Sequence, residues 1–133
     1  MIVRVLLQKV FIGLTLLLCL SGCGKHASLR RTLQEVGPEN LRSEMLAVCR
    51  EGFARGTLQR VPPEQLPASA RAFKPMGAWA EPDGGYILID SDADGERGIY
   101  LPRILSDKDP LCGPALKHEK LAPGVYWYEK KRL

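Results

Sequence analysis

Histidine is scarce in this 133-residue sequence, which has two histidines and four cysteines. Neither His26 nor His118 has the spacing to a thiolate that a zinc site requires. The sequence also lacks a Gly-x-Ser-x-Gly elbow, a phosphate-binding loop and a dinucleotide fingerprint. These absences remove the signals of the common hydrolases, nucleotide-binding enzymes and zinc proteins. We therefore expect no enzymatic activity and no cofactor.

A long hydrophobic run is also absent. The main apolar stretch, from Val10 to Leu20, has eleven residues, whereas a membrane-spanning helix needs about 20. Arg4 and Lys9 precede the stretch, and the small residues Ser21 and Gly22 follow it. This order of charge, apolar core and small residues is typical of a cleaved export signal.

The four residues Leu20-Ser21-Gly22-Cys23 resemble the lipobox of bacterial lipoproteins. The resemblance implies diacylglycerol on the Cys23 sulfur, cleavage between Gly22 and Cys23, and acylation of the new amine. It makes the lipid bilayer the first partner and places the protein on the periplasmic side of a membrane. Gly24 stands where many inner-membrane lipoproteins carry Asp, so the outer membrane is favoured in a cell that has one.

This assignment divides the chain into a signal peptide at 1–22, a lipidated tether at 23–28 and a single small domain at 29–133. Removing the signal takes away Arg4 and Lys9 and no acidic residue, so the formal net charge falls from +4 to +2. No basic patch is interleaved with aromatic residues. We therefore expect no nucleic-acid partner.

The same division decides which cysteines remain as thiols. Cys19 leaves with the signal and Cys23 becomes a thioether, which leaves Cys49 and Cys112. In an oxidising periplasm these two are expected to form a disulfide. Two alternatives stay open: two separately buried thiols, or a Cys112 nucleophile beside His118.

Helical signals come first in the mature chain. A first helix is predicted from Ser28, and Gly37-Pro38 breaks it. A second, with apolar residues at helical spacing, ends at Gly56. Four prolines between residues 60 and 75 exclude a continuous helix there, so an ordered connector with one helical turn is predicted, anchored by Leu66 and Phe73.

Strand signals follow. Apolar stretches at 76–81, 86–90, 97–101 and 125–129 predict three or four antiparallel strands. Pro82 to Gly85 is a turn signal, with positive φ expected at Gly84 or Gly85. Residues 106–123 are predicted to form a loop. The predicted fold class is α+β, with N-terminal helices packed on a small antiparallel sheet.

Residues 60–129 also resemble small exported bacterial proteins of unassigned activity. The residues that carry this likeness are Leu66-Pro67-x-Ser69-x-Arg71-x-Phe73-Lys74-Pro75, Trp79, Asp83-Gly84, Gly98-x-Tyr100-x-Pro102 and Gly124-Val125-Tyr126-Trp127-Tyr128. The likeness implies an ordered module and no particular chemistry.

One acidic motif suggests a metal. Asp90-x-Asp92-x-Asp94-Gly95 is similar to the start of a calcium loop, in which alternating carboxylates wrap a hard cation. The twelfth position, however, is Leu101 rather than Glu, and a strand rather than a helix precedes the motif. We favour an acidic hairpin tip without metal and keep a calcium-dependent module as the alternative.

The aromatic residues suggest a binding surface. Alternation in the last predicted strand places Tyr126 and Tyr128 on one face and Val125 and Trp127 on the other. One face is expected to be core, and the other is either covered or open to an envelope protein partner. The sequence thus predicts a non-enzymatic lipoprotein that binds other envelope components. An envelope hydrolase or hydrolase inhibitor is the remaining alternative.

Overall fold

The computed structural model describes residues 26–110 and 113–132. The predicted signal peptide, the lipidation site Cys23 and the predicted disulfide partner Cys112 lie outside these residues. By its internal contacts Thr32–Leu133 forms one compact unit, and the chain before Thr32 is grouped separately. Among the described helices, none has the length and apolar character to cross a membrane.

Three consecutive helices come first: α1 Ala27–Val36, α2 Pro38–Val48 and α3 Arg50–Arg55. Gly37, at φ 84°, separates α1 from α2, and Pro38 occupies the first turn of α2, where its missing N–H costs no helical bond. The predicted stop at Gly56 is confirmed, since this residue adopts a left-handed conformation at φ 66° and caps α3. The second predicted helix is interrupted at Cys49.

The proline-rich connector is ordered, as predicted. It contains a 3₁₀ turn at Pro63–Gln65 and one short helix, α4 Ala68–Arg71. Leu66 and Phe73 are buried, which confirms both as anchors of the connector.

The strands are β1 Gln59–Val61, β2 Gly77–Glu81, β3 Gly84–Ser91, β4 Gly95–Pro102, β5 Leu116–Ala122 and β6 Val125–Lys131. They form one antiparallel sheet in the order β1-β2-β3-β4-β6-β5. The α+β class and the antiparallel sheet are confirmed. The described sheet has six strands, however, and the predicted number of three or four is too small.

The two missed strands lie at the two edges of the sheet. β1 has three residues and is followed at once by Pro62 and Pro63, which a short edge strand tolerates. β5 lies inside the predicted loop at 106–123 and is largely exposed and charged. Edge strands carry prolines and charges because these residues oppose further strand pairing, and the same residues hide the strand from hydrophobic-pattern analysis.

The turn between β2 and β3 also differs from the prediction. Gly84 and Gly85 belong to β3, and neither has the positive φ expected of it. Gly84 is instead required by a close approach of β4: a β-carbon there would overlap the Leu101 carbonyl oxygen and lie 2.8 Å from Cε2 of Tyr100. The glycine thus permits ring packing on the sheet.

Helices α2 and α3 lie on one face of the sheet, in agreement with the predicted packing of helices on a sheet. Leu41, Met45 and Cys49 are fully buried, and a β-carbon added at Gly85 would lie 3.2 Å from the Cys49 sulfur. The fully buried strand residues on this face are Ala80, Ile87, Ile99, Leu101 and Val125. This apolar layer supplies the main hydrophobic core and leaves the opposite face to the aromatic residues.

Candidate functional site

All four tyrosines of the sequence lie on the face of the sheet opposite the helices. Tyr86 pairs with Tyr100 across β3 and β4, and Tyr100 pairs with Tyr126 across β4 and β6. The predicted alternation in β6 is confirmed, because Tyr126 and Tyr128 share this face whereas Val125 lies under the helices. We call this surface, defined by Trp79, Tyr86, Tyr100, Tyr126 and Tyr128, the aromatic face.

The rings of the aromatic face converge above β4. The rings of Tyr86 on β3 and Tyr128 on β6 are 5.4 Å apart, although β4 lies between their strands. In a flat sheet strands separated by one neighbour are about 10 Å apart. Trp79 stacks on Tyr86 at 5.2 Å and also meets Tyr128 edge-on at 6.4 Å. The Tyr128 ring therefore leans over Gly98 of β4 towards Tyr86 and Trp79, and all four tyrosines are buried.

A shared carboxylate fixes two of the tyrosines. The hydroxyls of Tyr86 and Tyr100 donate to the same oxygen of Asp83, at 3.1 and 3.0 Å. Burial, reinforced by the Asp83 charge, raises the pKa of both phenols. His118 lies 5.3 Å from the Tyr100 ring, and burial lowers its pKa although Asp83 opposes that shift. These groups stay neutral near pH 7, so the tyrosines are packing and hydrogen-bonding groups rather than tyrosinate bases.

An open groove of about 490 Å³ runs along the β1–β2 side of the aromatic face. Its lining combines apolar and charged side chains. The apolar members are Leu58, Val61, Pro62, Pro63, Met76, Ala78, Trp79 and Leu88, and the charged members are Arg60, Glu81, Glu96 and Lys130. Leu58 and Met76 are 58% and 62% exposed, so two large apolar side chains border the groove in contact with water. We call this feature the Trp79 groove.

The charges of the Trp79 groove are largely unengaged. Trp79 donates its indole N–H to Glu81 at 3.3 Å. Arg60, Glu96 and Lys130 form no ion pair with any other residue in the described part of the chain. Two cationic and two anionic side chains thus face the groove, and they are available to a bound molecule that carries charges of both signs.

Tyr128 adds a polar atom beneath the groove. Its side chain is 1% exposed, and its hydroxyl has no hydrogen-bond partner among residues 26–110 and 113–132. Burial raises its pKa, and the charges of Glu96 and Glu81 add to the shift.

The acidic turn is already occupied by an arginine. Arg97 binds the carboxylates of Asp90, at 2.9 Å, and Asp92. The other carboxylate oxygen of Asp92 accepts hydrogen bonds from two backbone N–H groups, that of Asp94 at 2.8 Å and that of Gly95 at 3.2 Å. The Arg97 hydrogen bond is the main reason that the pKa of Asp92 is lowered. Within the described residues no cluster of His, Cys, Asp and Glu is arranged to hold a metal ion. The contacts therefore favour a hairpin tip over a calcium site.

A calcium titration tests this interpretation. We expect the melting temperature to be the same in calcium and in chelator, because the Arg97 guanidinium holds the carboxylates that the ion would need. A specifically bound ion at 100 times its dissociation constant would add about 2.7 kcal/mol to the unfolding free energy. A rise in melting temperature that requires calcium and is lost in the Asp92→Asn variant would contradict the interpretation. Asp107→Asn, outside the turn, serves as the matched control.

The predicted disulfide remains untested. Cys49 is a buried free thiol in the structure, and burial raises its pKa to about 11. Such a thiol is unreactive near pH 7. Cys112, the predicted partner of Cys49 and the candidate nucleophile beside His118, lies outside the described residues.

The shared face of the tyrosines is predictable from the sequence, whereas the groove is not. Glu96 and Lys130 face each other across β4 and β6 on the side that carries the tyrosines, so strand alternation could have placed them together. Arg60 could not be found in this way, because β1 was not predicted. Comparison of the chain with family models, with curated proteins and with solved structures finds no match.

The tyrosine cluster predicts a steep loss of stability at alkaline pH. Tyr86, Tyr100 and Tyr128 have raised pKa values in the folded state, so their stabilising effect is complete below about pH 10, the pKa of an unfolded tyrosine, and is lost above it. Each such tyrosine lowers the unfolding free energy by at most about 1.4 kcal/mol per pH unit.

The measurement is tyrosinate absorbance during a pH titration, with circular dichroism recorded on the same samples. We expect tyrosinate to appear together with unfolding, because the four tyrosines share one buried face. In urea the same absorbance should titrate near pH 10. Ionisation of three or four tyrosines near pH 10 in the folded protein would show that the aromatic face is open to water.

Proposed function

We propose that the chain is a lipid-anchored envelope module that binds a partner protein, without catalysis, through the Trp79 groove. The observation that carries the proposal is the groove itself, an open cavity of about 490 Å³ with apolar and charged walls. Ligand-binding clefts fall in the range of about 300–1,000 Å³. The groove is thus large enough for a short segment of a partner chain.

The apolar part of the groove supplies the expected source of affinity. Trp79 is held from one side by its stack on Tyr86 and from another by Tyr128, so its position is fixed before binding. Preordered aromatic side chains are frequent energetic centres of interfaces because they bury much area and lose little entropy. Leu58 and Met76 extend this apolar surface to the rim of the groove.

The charged part of the groove supplies specificity. Arg60 and Lys130 favour acidic side chains, whereas Glu81 and Glu96 favour basic ones. Covering any of these charges without a counter-charge costs free energy. The preferred occupant is therefore an extended segment that has an apolar side chain for Trp79 and charges of both signs.

The chemistry of the aromatic face supports binding rather than catalysis. Burial favours the neutral form of Tyr86, Tyr100 and Tyr128, which removes them as bases near pH 7. The lipobox-like sequence at Cys23 supports attachment to the periplasmic side of a membrane, with the outer membrane favoured. Two or three acyl chains are needed for stable attachment, since one chain binds only reversibly.

The experiment is site-specific photo-cross-linking in cells. A photoreactive amino acid is placed at Met76, on the groove, or at Leu105, which has the same exposure of 62% but lies outside the groove. We expect one discrete protein adduct from position 76 and no such adduct from position 105. The groove charge variant Lys130→Glu should reduce the adduct severalfold, and Lys131→Glu, on the neighbouring residue outside the groove, should not.

Two results would overturn the proposal. Equal protein adducts from positions 76 and 105 would indicate unspecific collisions rather than a site. The absence of an adduct from position 76 in cells that contain the folded, exported protein would show that the groove has no protein occupant.

A further inference from the structure

The loop between β4 and β5 presents two neighbouring aliphatic side chains to water. Ile104 and Leu105 are adjacent in sequence and are 76% and 62% exposed. Isolated exposed aliphatic residues are ordinary on protein surfaces, but a protruding pair is a candidate contact site. The pair lies outside the Trp79 groove and plays no part in the binding proposed for it.

Residues 103–109 of this loop are attached to the rest of the protein at both ends. The N–H of Arg103 donates to the Asp83 carbonyl at 2.8 Å, and the Tyr126 hydroxyl donates to Asp109 at 3.3 Å. Between these attachments Leu105 lies against Gly124 of the β5–β6 turn. These attachments keep the side chains of Ile104 and Leu105 exposed to water, although their transfer to an apolar medium would be favourable.

Cationic side chains stand beside the apolar pair. Arg103 stacks over the Phe53 ring at 5.2 Å, and Arg50 lines the same surface depression. Guanidinium groups form strong paired hydrogen bonds with phosphate oxygens. An apolar tip flanked by arginines matches the layered chemistry of a phospholipid surface, which has phosphate groups outside and hydrocarbon within.

We propose that the Ile104–Leu105 loop docks on the phospholipid bilayer to which Cys23 anchors the chain. This inference rests on the proposed anchor, since only three residues separate Cys23 from the start of α1. Fully extended, such a link reaches about 14 Å, so the protein stays at the bilayer and a weak contact is sufficient. A protein occupant is disfavoured because two side chains fall far short of the roughly 800 Å² per partner that a stable interface buries.

Docking through this loop would orient the Trp79 groove. β4 begins beside the groove at Glu96 and ends at Pro102, next to the loop. Six residues of strand extend about 20 Å. The groove would thus lie roughly 20 Å along β4 from the bilayer contact, accessible to partners in the periplasm.

The test uses the full chain purified from membranes and reconstituted in vesicles that contain phosphatidylglycerol. An environment-sensitive fluorescent amino acid is inserted at Ser106, which keeps Ile104 and Leu105, or at Met76 as the control. We expect the emission at position 106 to shift to shorter wavelength on vesicles and to be quenched by brominated lipid. The emission at position 76 should stay as in water, and the double variant Ile104→Ser and Leu105→Ser should lose the shift at 106.

An unchanged emission at position 106, or a shift that persists in the double serine variant, would overturn the loop contact. A shift of equal size at positions 76 and 106 would also overturn it, by showing unoriented adsorption. Vesicles of phosphatidylcholine alone test the contribution of the arginines, because this lipid carries no net charge. We expect a smaller emission shift at position 106 on these vesicles than on vesicles that contain phosphatidylglycerol. The intact mass of the same preparation reports separately on the anchor, so a failed anchor and a failed loop contact are distinguishable.

Discussion

Replacing Cys23 by Ser is expected to move the protein from the membrane fraction to the soluble fraction of the cell envelope. The serine hydroxyl replaces the sulfur that would carry diacylglycerol, so the chain loses its acyl groups. Each buried methylene contributes about 0.8 kcal/mol to membrane binding, and two or three chains make attachment stable. A two-residue apolar loop cannot replace them. The expected change is therefore nearly complete rather than partial.

The measurement is detergent-phase partition of exported protein, followed by detection in the two phases. The Cys23→Ser variant is exported behind an ordinary secretory signal, so that an uncleaved leader does not hold it in the membrane. Cys49→Ser, at a cysteine buried under the helices, is the matched control and should remain in the detergent phase. Retention of the Cys23→Ser variant in that phase, or release of the Cys49→Ser variant from it, would contradict an acyl anchor at Cys23.

Gly98→Ala is expected to lower the unfolding free energy by about 3 kcal/mol or more, at the upper end of the cost of overpacking. A β-carbon at this position would overlap the Ile87 carbonyl oxygen and lie 3.0 Å from Cε1 of Tyr128. Neither group has room to withdraw, because Ile87 and Tyr128 are 0% and 1% exposed. The alanine must therefore displace β3 or the Tyr128 ring on which the aromatic face is built.

Urea denaturation measures the difference, and Gly77→Ala is its control. Gly77 lies in β2, and no atom within 4 Å would meet its added β-carbon. Its substitution should leave stability unchanged or raise it by up to about 1 kcal/mol, since alanine loses less entropy on folding. Equal effects of the two substitutions would show that the Tyr128 ring does not pack on Gly98. If the unfolding free energy of Gly98→Ala depends much less steeply on urea concentration than that of the unsubstituted protein, the native state of the variant is loosened.

The parts of the fold that were predictable depend on local signals. The helix end at Gly56 is predictable because glycine readily adopts the left-handed conformation that ends a helix. The shared face of Tyr126 and Tyr128 is predictable because side chains alternate along a strand. β5 was not predictable by the same means, because it is an exposed edge strand with no apolar alternation.

The candidate site was less predictable because it depends on contacts between rings on strands that are not neighbours in the sheet. Trp79 and Tyr128 are on strands separated by two others, yet their rings lie 6.4 Å apart. No spacing in the sequence reports such a contact. Likewise, Arg97 neutralises the acidic turn through pairing of β3 with β4, which aligns it with Asp90. The motif alone left a calcium site open as the alternative to a hairpin tip, and the strand register supplied the competing cation.

The anchor at Cys23 underlies both the proposed function and the orientation inferred from the Ile104–Leu105 loop. Its most direct test is the intact mass, with fragment sequencing, of the chain purified from membranes. The account predicts a chain that begins at Cys23 and carries diacylglycerol on the sulfur and, where the cell acylates such amines, a further acyl chain. A membrane-purified chain that begins at Met1, or one in which Cys23 is unmodified, would contradict it.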